Sequence, residues 1–136
     1  MLQPKRLKHR RQFRGIYRRV AIKGNQVNFG THGIKTLESG MITDRQIEAC
    51  RVVMARATRK AGRFWMRIFP DRPYTKKPPE VTMGAGKGDV SHYVAIVTPG
   101  RMLYEIEGLD EASIKVMHKN LTSKLGLKTK VILRQI

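Results

Sequence analysis

The sequence is poor in cysteine and contains no long apolar run. Cys50 is the only cysteine among 136 residues, so the chain forms no internal disulfide. No second cysteine lies near His9, His32, His92 or His118, which excludes the common zinc spacings. No segment approaches the roughly 20 apolar residues that a membrane-spanning helix needs. These absences predict a chain that works in a reducing compartment without a metal, a cofactor or a membrane.

Acidic residues are also scarce, and this scarcity is uneven along the chain. Ten acidic residues stand against 28 lysines and arginines, which gives a formal charge of +18. The ten charged residues before Glu38 are all basic, whereas residues 38–79 carry a net +6 and residues 80–136 a net +2. A hydrophobic fraction of 40% can fill one core at this length, but the excess charge requires a polyanionic partner. A membrane surface is disfavoured as that partner, because no basic amphipathic helix with a large apolar face is visible.

Residues 1–23 are predicted to form a basic arm, because their apolar residues are sparse and are interleaved with arginines. Arginine forks bind phosphates in a bidentate way, and the rings of Phe13 and Tyr17 can stack on bases. A solvated, flexible tail is the alternative. The residues proposed as RNA contacts in the arm are Lys5, Arg6, Lys8, Arg10, Arg11, Arg14, Arg18 and Arg19.

Thr43 and Gln46 have the spacing of a capping box, which predicts a helix that runs to about Ala61, with Gly62 as its stop. Cys50 lies on the apolar stripe of this helix and is predicted to be a buried hydrophobic side chain rather than a nucleophile. The opposite face is basic, and it is either a solvated surface or a set of phosphate contacts. The cations assigned to that face are Arg45, Arg56, Arg59 and Lys60.

The rest of the chain predicts further strands and a second helix. Alternating or β-branched patterns typical of strands occur at 26–29, 34–37, 64–69, 93–98, 101–106 and 128–136. The second helix is predicted to begin after Asp110 as its N-cap and to end near Gly126. The sequence therefore predicts one α+β domain over residues 1–136, with two helices packed on a mixed or antiparallel sheet.

Residues 70–92 form the longest stretch without a periodic pattern, and they are predicted to form an extended loop rich in Pro, Lys and Gly. Its tip does not fit a P-loop, because Val81 and Gly88 stand where that motif needs Gly and Ser or Thr. The glycines permit close approach of the backbone to a phosphate chain, and Lys87 adds a positive charge. An ordinary mobile loop is the alternative.

The sequence offers no set of residues for catalysis. There is no Ser-His-Asp or Cys-His set, no pair of carboxylates and no cluster with metal-ligand spacing. His118 borders the apolar stripe of the second helix, which favours packing over chemistry. The sequence therefore predicts a protein that is not an enzyme.

Six stretches, taken in order, carry a resemblance to a known family. They are 1–6, 27–30, 42–49, 69–78 (Phe69-Pro70, Pro73-Tyr74-Thr75 and Lys77-Pro78), 83–88 and 99–105. In these stretches the chain resembles the family of the bacterial-type large-subunit ribosomal protein sixteen over essentially its full length. The resemblance implies an α/β-hammerhead fold and a protein that joins the subunit late in maturation. It also implies large-subunit rRNA, A-site and P-site tRNA, and neighbouring ribosomal proteins as partners.

The resemblance further implies that the arm and the glycine-rich loop approach tRNA, while the arm's other arginines and the basic helix face contact rRNA. The residues implied to lie near tRNA are Arg10, Arg11, Lys76, Lys77, Gly84, Gly86, Lys87 and Gly88. Three positions depart from the family's usual pattern. Thr82 replaces a common Arg, Arg19 a common Gly, and Gly126 a common Pro.

These features predict a structural constituent of the large ribosomal subunit, located in the cytoplasmic ribosome of a bacterium or in an organelle that encodes its own copy. A free-standing RNA-binding or assembly factor is the alternative that composition leaves open. A basic enzyme acting on nucleic acid would need a pocket with paired titratable groups, and the sequence offers none.

Overall fold

The computed structural model describes residues 2–15 and 18–135, so Tyr17, one of the two rings predicted for the arm, lies outside the described residues. Within them the chain forms two helices, α1 (Asp44–Ala57) and α2 (Glu111–Leu125). The strands are β1 (His32–Thr36), β2 (Gly40–Thr43), β3 (Arg63–Met66), β4 (Arg72–Thr75), β5 (Val90–Val97), β6 (Met102–Glu107) and β7 (Thr129–Leu133). The predicted α+β class is confirmed.

The strands divide between two antiparallel sheets rather than forming one. One sheet has the order β3-β6-β1-β7 and the other the order β2-β5-β4. The core lies where the two helices and both sheets meet, with Ile47 and Met54 from α1, Leu121 from α2, Ile42 from β2 and Tyr104 from β6 all fully buried. This arrangement leaves the β4–β5 hairpin at one side of the molecule, where it supports the candidate site described below.

The predicted capping box begins α1. Gln46 donates its backbone N–H to the Thr43 hydroxyl over 3.2 Å, and the Thr43 N–H donates to the Gln46 side chain over 2.9 Å. The predicted end near Ala61 is wrong, because the helix stops at Ala57. Both the N–H and the hydroxyl of Thr58 donate to the Met54 carbonyl, and the chain leaves the helix there.

Helix α2 begins after Asp110 and ends at Gly126, as predicted. Gly126 has φ +70°, and its N–H donates to the Thr122 carbonyl. A left-handed residue at this position favours glycine, and proline cannot adopt it because its ring holds φ near −65°. The glycine that departs from the family's usual proline is therefore the residue that this helix end requires.

The strand predicted at 26–29 is wrong. The backbone N–H groups of Asn28, Phe29 and Gly30 donate to the carboxylate of Glu105 instead of to a neighbouring strand. Strand β2 was not predicted, because it is four residues long and runs directly into the helix cap. The predicted strand at 64–69 is shorter, since β3 ends at Met66.

The predicted loop at 70–92 contains structure of its own. Residues 72–75 form β4, and β5 already begins at Val90. Pro73 hid this strand from the sequence pattern, yet proline is tolerated here because β4 is an edge strand. The irregular segment is therefore residues 76–89, which we call the glycine loop.

Within the described residues, neither helix is both long and apolar enough to cross a bilayer.

Candidate nucleic-acid interface

The basic arm is held against the domain at both ends. Near its start, Leu2 packs on the hydrophobic core. At its end, the Ala21 N–H donates to the Pro99 carbonyl over 2.8 Å, and the Met102 N–H donates to the Gly24 carbonyl over 2.8 Å. The described parts of the arm are therefore attached to the domain near both ends of the arm.

The middle of the arm meets the glycine loop at what we call the arm–loop junction, formed by Arg11, Gln12, Lys87, Gly88 and Asp89. The Arg11 guanidinium donates to the Asp89 carboxylate over 2.7 Å and to the Gly88 carbonyl over 3.2 Å. Lys87 donates in return to the Gln12 carbonyl over 2.5 Å. These contacts bring together two basic segments that are far apart in the sequence.

Strands β4 and β5 support the arm beside this junction. Arg72 on β4 donates to the Gln12 side chain over 2.6 Å. Tyr74 and His92 are register partners across the hairpin, and their rings stack with centroids 4.8 Å apart. The Arg14 guanidinium lies over the Tyr74 ring, 4.7 Å from the ring centroid. Arg14 of the arm and the rings of Tyr74 and His92 on the hairpin therefore lie together at one place on the surface.

An open cleft of about 660 Å³ lies at this place. Its lining includes Arg14, Tyr74, Lys76, Lys77, Gly88 and His92. Cations that bind phosphates and flat groups that stack on bases line the same space, which is the combination that single-stranded nucleic acid binds. The structure therefore brings six predicted site residues to one surface: Arg11, Arg14, Lys76, Lys77, Lys87 and Gly88.

The tip of the glycine loop has three successive residues with positive φ. They are Gly84 at +98°, Ala85 at +60° and Gly86 at +96°. A side chain added at Gly84 or Gly86 would meet nothing within 4 Å, so these glycines serve the backbone conformation rather than close packing. Lys77 donates to the Gly84 carbonyl over 2.5 Å and links the tip to the start of the loop.

The remaining cations of the arm are exposed and make no ion pair with another described residue. They are Lys5, Arg6, Lys8, Arg10, Arg18, Arg19 and Lys23. They lie outside the arm–loop junction and are free to contact a polyanion.

The basic face predicted for α1 is only partly a helix face. Arg45 and Arg56 lie on the helix, three turns and about 16 Å apart on the same side. Arg59 and Lys60 lie beyond its end, because the helix stops at Ala57. All four are exposed. They form an exposed basic strip rather than a continuous helical face.

Sequence reasoning missed a second charged centre, built around Glu105 on β6. Its side chain is fully buried, and it accepts hydrogen bonds from the N–H groups of Asn28, Phe29 and Gly30 and from the Arg67 guanidinium. Burial alone raises the pKa of Glu105, but the hydrogen bonds from Gly30, Asn28, Phe29 and Arg67 outweigh burial and lower the pKa below its ordinary value. An acidic residue inside the apolar run of β6 was the signal that could have found this centre.

The same centre holds aromatic rings at the surface. Phe29 stacks on Trp65 with centroids 6.2 Å apart, and the Arg67 guanidinium lies 5.1 Å from the Phe29 ring centroid. The ring of Phe29 remains about half exposed. Glu105 thus holds both the backbone of residues 28–30 and the Arg67 guanidinium next to the exposed ring of Phe29.

The side chains considered for chemistry are occupied by packing. Cys50 is fully buried, as predicted, and burial raises the pKa of its thiol to about 11, so the thiol stays protonated at neutral pH. The His118 ring lies 2.8 Å from the Thr129 hydroxyl, which joins α2 to β7. Among the described residues, no group of three or more His, Cys, Asp or Glu side chains is placed to hold a metal ion.

Known proteins resemble this chain over nearly its whole length. The family described as Ribosomal protein L16p/L10e matches residues 4–132, which include most of the arm, the whole glycine loop and both helices. The large ribosomal subunit protein uL16 of Buchnera aphidicola subsp. Cinara cedri (strain Cc) is 48% identical over 129 residues, covering 95% of this chain and 94% of that protein. The match extends over nearly the full length of both chains, and the chain belongs to the ribosomal protein L16p/L10e family.

Proposed function

We propose that this protein is a structural constituent of the large ribosomal subunit that binds large-subunit rRNA and, at its arm–loop junction, contacts A-site and P-site tRNA. Membership of a ribosomal protein family places its work in the ribosome and in translation. The observation that carries the finer proposal is the junction itself, where contacts of Arg11 and Lys87 join the basic arm to the glycine loop beside one open cleft.

The proposed rRNA contacts are the exposed cations of the arm, with Arg11 and Arg14 among them, and those of the basic strip. The arm's free lysines and arginines and the basic strip of Arg45, Arg56, Arg59 and Lys60 face solvent without acidic partners among the described residues. Such cations bind the phosphate backbone and release counterions from it, so binding weakens steeply as salt rises. We expect a log–log slope of roughly one unit for each phosphate neutralised.

The proposed tRNA contacts are the residues around the cleft. Arg14 and the Tyr74–His92 pair offer flat groups for an unpaired base, and Lys76 and Lys77 offer charge for the adjoining phosphates. Thr82 is exposed and neutral where relatives commonly carry arginine, so the charge at the loop depends on its lysines.

Site-specific crosslinking on intact large subunits tests this proposal. A photoreactive group is placed at Lys87 in one variant and at Arg11 in another, and each is irradiated with and without A-site tRNA. We expect crosslinks to tRNA from either position, and only to rRNA when tRNA is absent. A matched control carries the same group at Val116, which is exposed on α2, does not line the cleft beside the junction and is expected to give no tRNA crosslink.

Crosslinks only to rRNA from both positions, in subunits that bind A-site tRNA normally, would reduce the protein to a scaffold. Its presence in large subunits washed in high salt separates the main proposal from the assembly-factor alternative. A ribosomal constituent remains at one copy per subunit after the wash, whereas an assembly factor is lost from mature subunits.

A further inference from the structure

We propose that the Arg11 guanidinium is a phosphate subsite that the Asp89 carboxylate fills in the free protein and that an RNA backbone phosphate takes over on binding. This inference rests on the proposed RNA-binding function and deepens it. It concerns a single anion position within the arm–loop junction.

The carboxylate occupies the position that a phosphate would need. Arg11 holds Asp89 through one guanidinium nitrogen over 2.7 Å, while its Nε stays on the Gly88 carbonyl over 3.2 Å. Carboxylates and phosphates use the same guanidinium donors, so one can replace the other without moving Arg11. Lys87 places a second cation close to Arg11, because it donates a hydrogen bond to the carbonyl of Gln12, the residue next to Arg11.

The exchange requires only a side-chain rotation. The Asp89 backbone is fixed, because its carbonyl accepts the Lys76 N–H over 3.1 Å. Gly88 packs closely on the same residue, since a Cβ there would lie 3.2 Å from the Lys76 backbone. The Asp89 side chain itself is 82% exposed and that of Arg11 44% exposed, so solvent and RNA reach the pair directly.

Asp89 differs from the other acid of the glycine loop because it has an arginine partner. The glycine loop contains two acids, Glu80 and Asp89, beside three cations, Lys76, Lys77 and Lys87. Glu80 is exposed and pairs with no described residue. Asp89, in contrast, pairs with Arg11, which joins the arm to the loop. An exposed ion pair of this kind is weak, so a phosphate held by several cations displaces it readily.

The test compares Asp89→Asn with Glu80→Gln, which removes the same charge from the same loop. Binding is measured at low salt to large subunits that have been stripped of this protein. Asp89→Asn is expected to bind about fivefold more tightly than the unaltered chain. Removing the attraction between two unit charges about 4 Å apart in water changes a binding constant by about that factor. Glu80→Gln is expected to change the affinity less than about twofold, since Glu80 pairs with no cation that would bind a phosphate.

The effect is expected to depend on Arg11. In an Arg11→Ala background, Asp89→Asn should gain no more than Glu80→Gln gains, because the subsite is gone. If Asp89→Asn binds no more tightly than Glu80→Gln, or more weakly, the carboxylate is not a stand-in for phosphate and the inference is overturned. That outcome leaves the proposed function intact as long as the unaltered chain binds in a salt-dependent way, whereas salt-insensitive binding of the unaltered chain would overturn the proposed function itself.

Discussion

Two of the three arginine–carboxylate pairs among the described residues have opposite surroundings. Arg67 and Glu105 form one pair whose side chains are 16% and 0% exposed. Arg11 and Asp89 form the other, with side chains 44% and 82% exposed. The buried carboxylate has four donors on it, while the exposed carboxylate has one guanidinium.

The difference separates an interaction that builds the fold from one that is available for binding. A competing anion does not reach the buried pair, and breaking this pair leaves an uncompensated charge in the interior. The exposed pair contributes little to stability, since water and salt screen it, and a competing phosphate can reach it. The same chemistry therefore serves the core at β6 and the RNA-binding surface at the arm–loop junction.

Replacing Glu105 with glutamine is expected to have the largest effect on this comparison. The change leaves Arg67 without its charge partner and turns an amide group toward backbone donors. We expect the free energy of unfolding to fall by about 3–5 kcal/mol, measured by urea denaturation at pH 7.

Glu107→Gln is the matched control for this prediction. Glu107 lies on the same strand, two residues away, but is exposed. Its loss is expected to change the free energy of unfolding by less than about 0.5 kcal/mol. Equal effects of the two substitutions would show that burial and the four hydrogen bonds do not set the contribution of Glu105 to stability.

The same carboxylate predicts how stability depends on pH. The pKa of Glu105 is lower in the folded chain than its ordinary value of 4.5, so its contribution is complete above pH 4.5. The contribution is lost as the pH falls through the folded pKa. Urea unfolding from pH 7 to pH 3 should therefore show the gap between the unaltered chain and Glu105→Gln shrinking below about pH 4.5. A gap that stays constant to pH 3 would contradict the lowered pKa.

Local signals in the sequence predicted the helices better than the strands. The capping box at Thr43 and the glycine stop at Gly126 are local, and both lie where predicted. The error at residues 26–29 has a long-range cause, because those N–H groups are bonded by Glu105, 75 or more residues away. An alternating pattern cannot show whether its backbone donors face a strand or a carboxylate.

The cations of the candidate site could be read from the sequence, but their arrangement could not. The charge excess identified Arg11 and Lys87 separately, whereas their meeting depends on the β4–β5 hairpin that carries the loop. Tyr74 and His92 were not predicted as site residues. They become neighbours only through the register of that hairpin, and a strand containing Pro73 gives no such pattern.

Replacing Arg10, Arg11 and Arg14 together with alanine is expected to affect binding rather than folding. Each exposed cation contributes about 1 kcal/mol to phosphate contacts, so rRNA affinity should fall by about 100-fold and the salt dependence should flatten. The free energy of unfolding should change by no more than about 1 kcal/mol. Binding to stripped large subunits at several salt concentrations, with urea denaturation beside it, measures both.

Full subunit incorporation and normal A-site tRNA binding by the triple variant would remove the arm from the binding surface. Substituting Lys115, Lys119 and Lys124 on α2 with alanine provides a control of equal charge, since these residues are also exposed. The control is expected to lose much less affinity, because general charge acts on RNA only through screened, longer distances.

The smallest expected effect concerns the ring beneath Arg14. Tyr74→Leu removes the cation–π contact and the stack on His92, each worth about 0.5–1 kcal/mol at an exposed site. We expect about threefold weaker binding of A-site tRNA to large subunits that carry the variant, because Arg14 is then less well oriented toward the cleft. Tyr74→Phe keeps the ring and should keep the affinity. If both variants bind tRNA equally well, the guanidinium needs no aromatic support, and the surface of the cleft acts through charge alone.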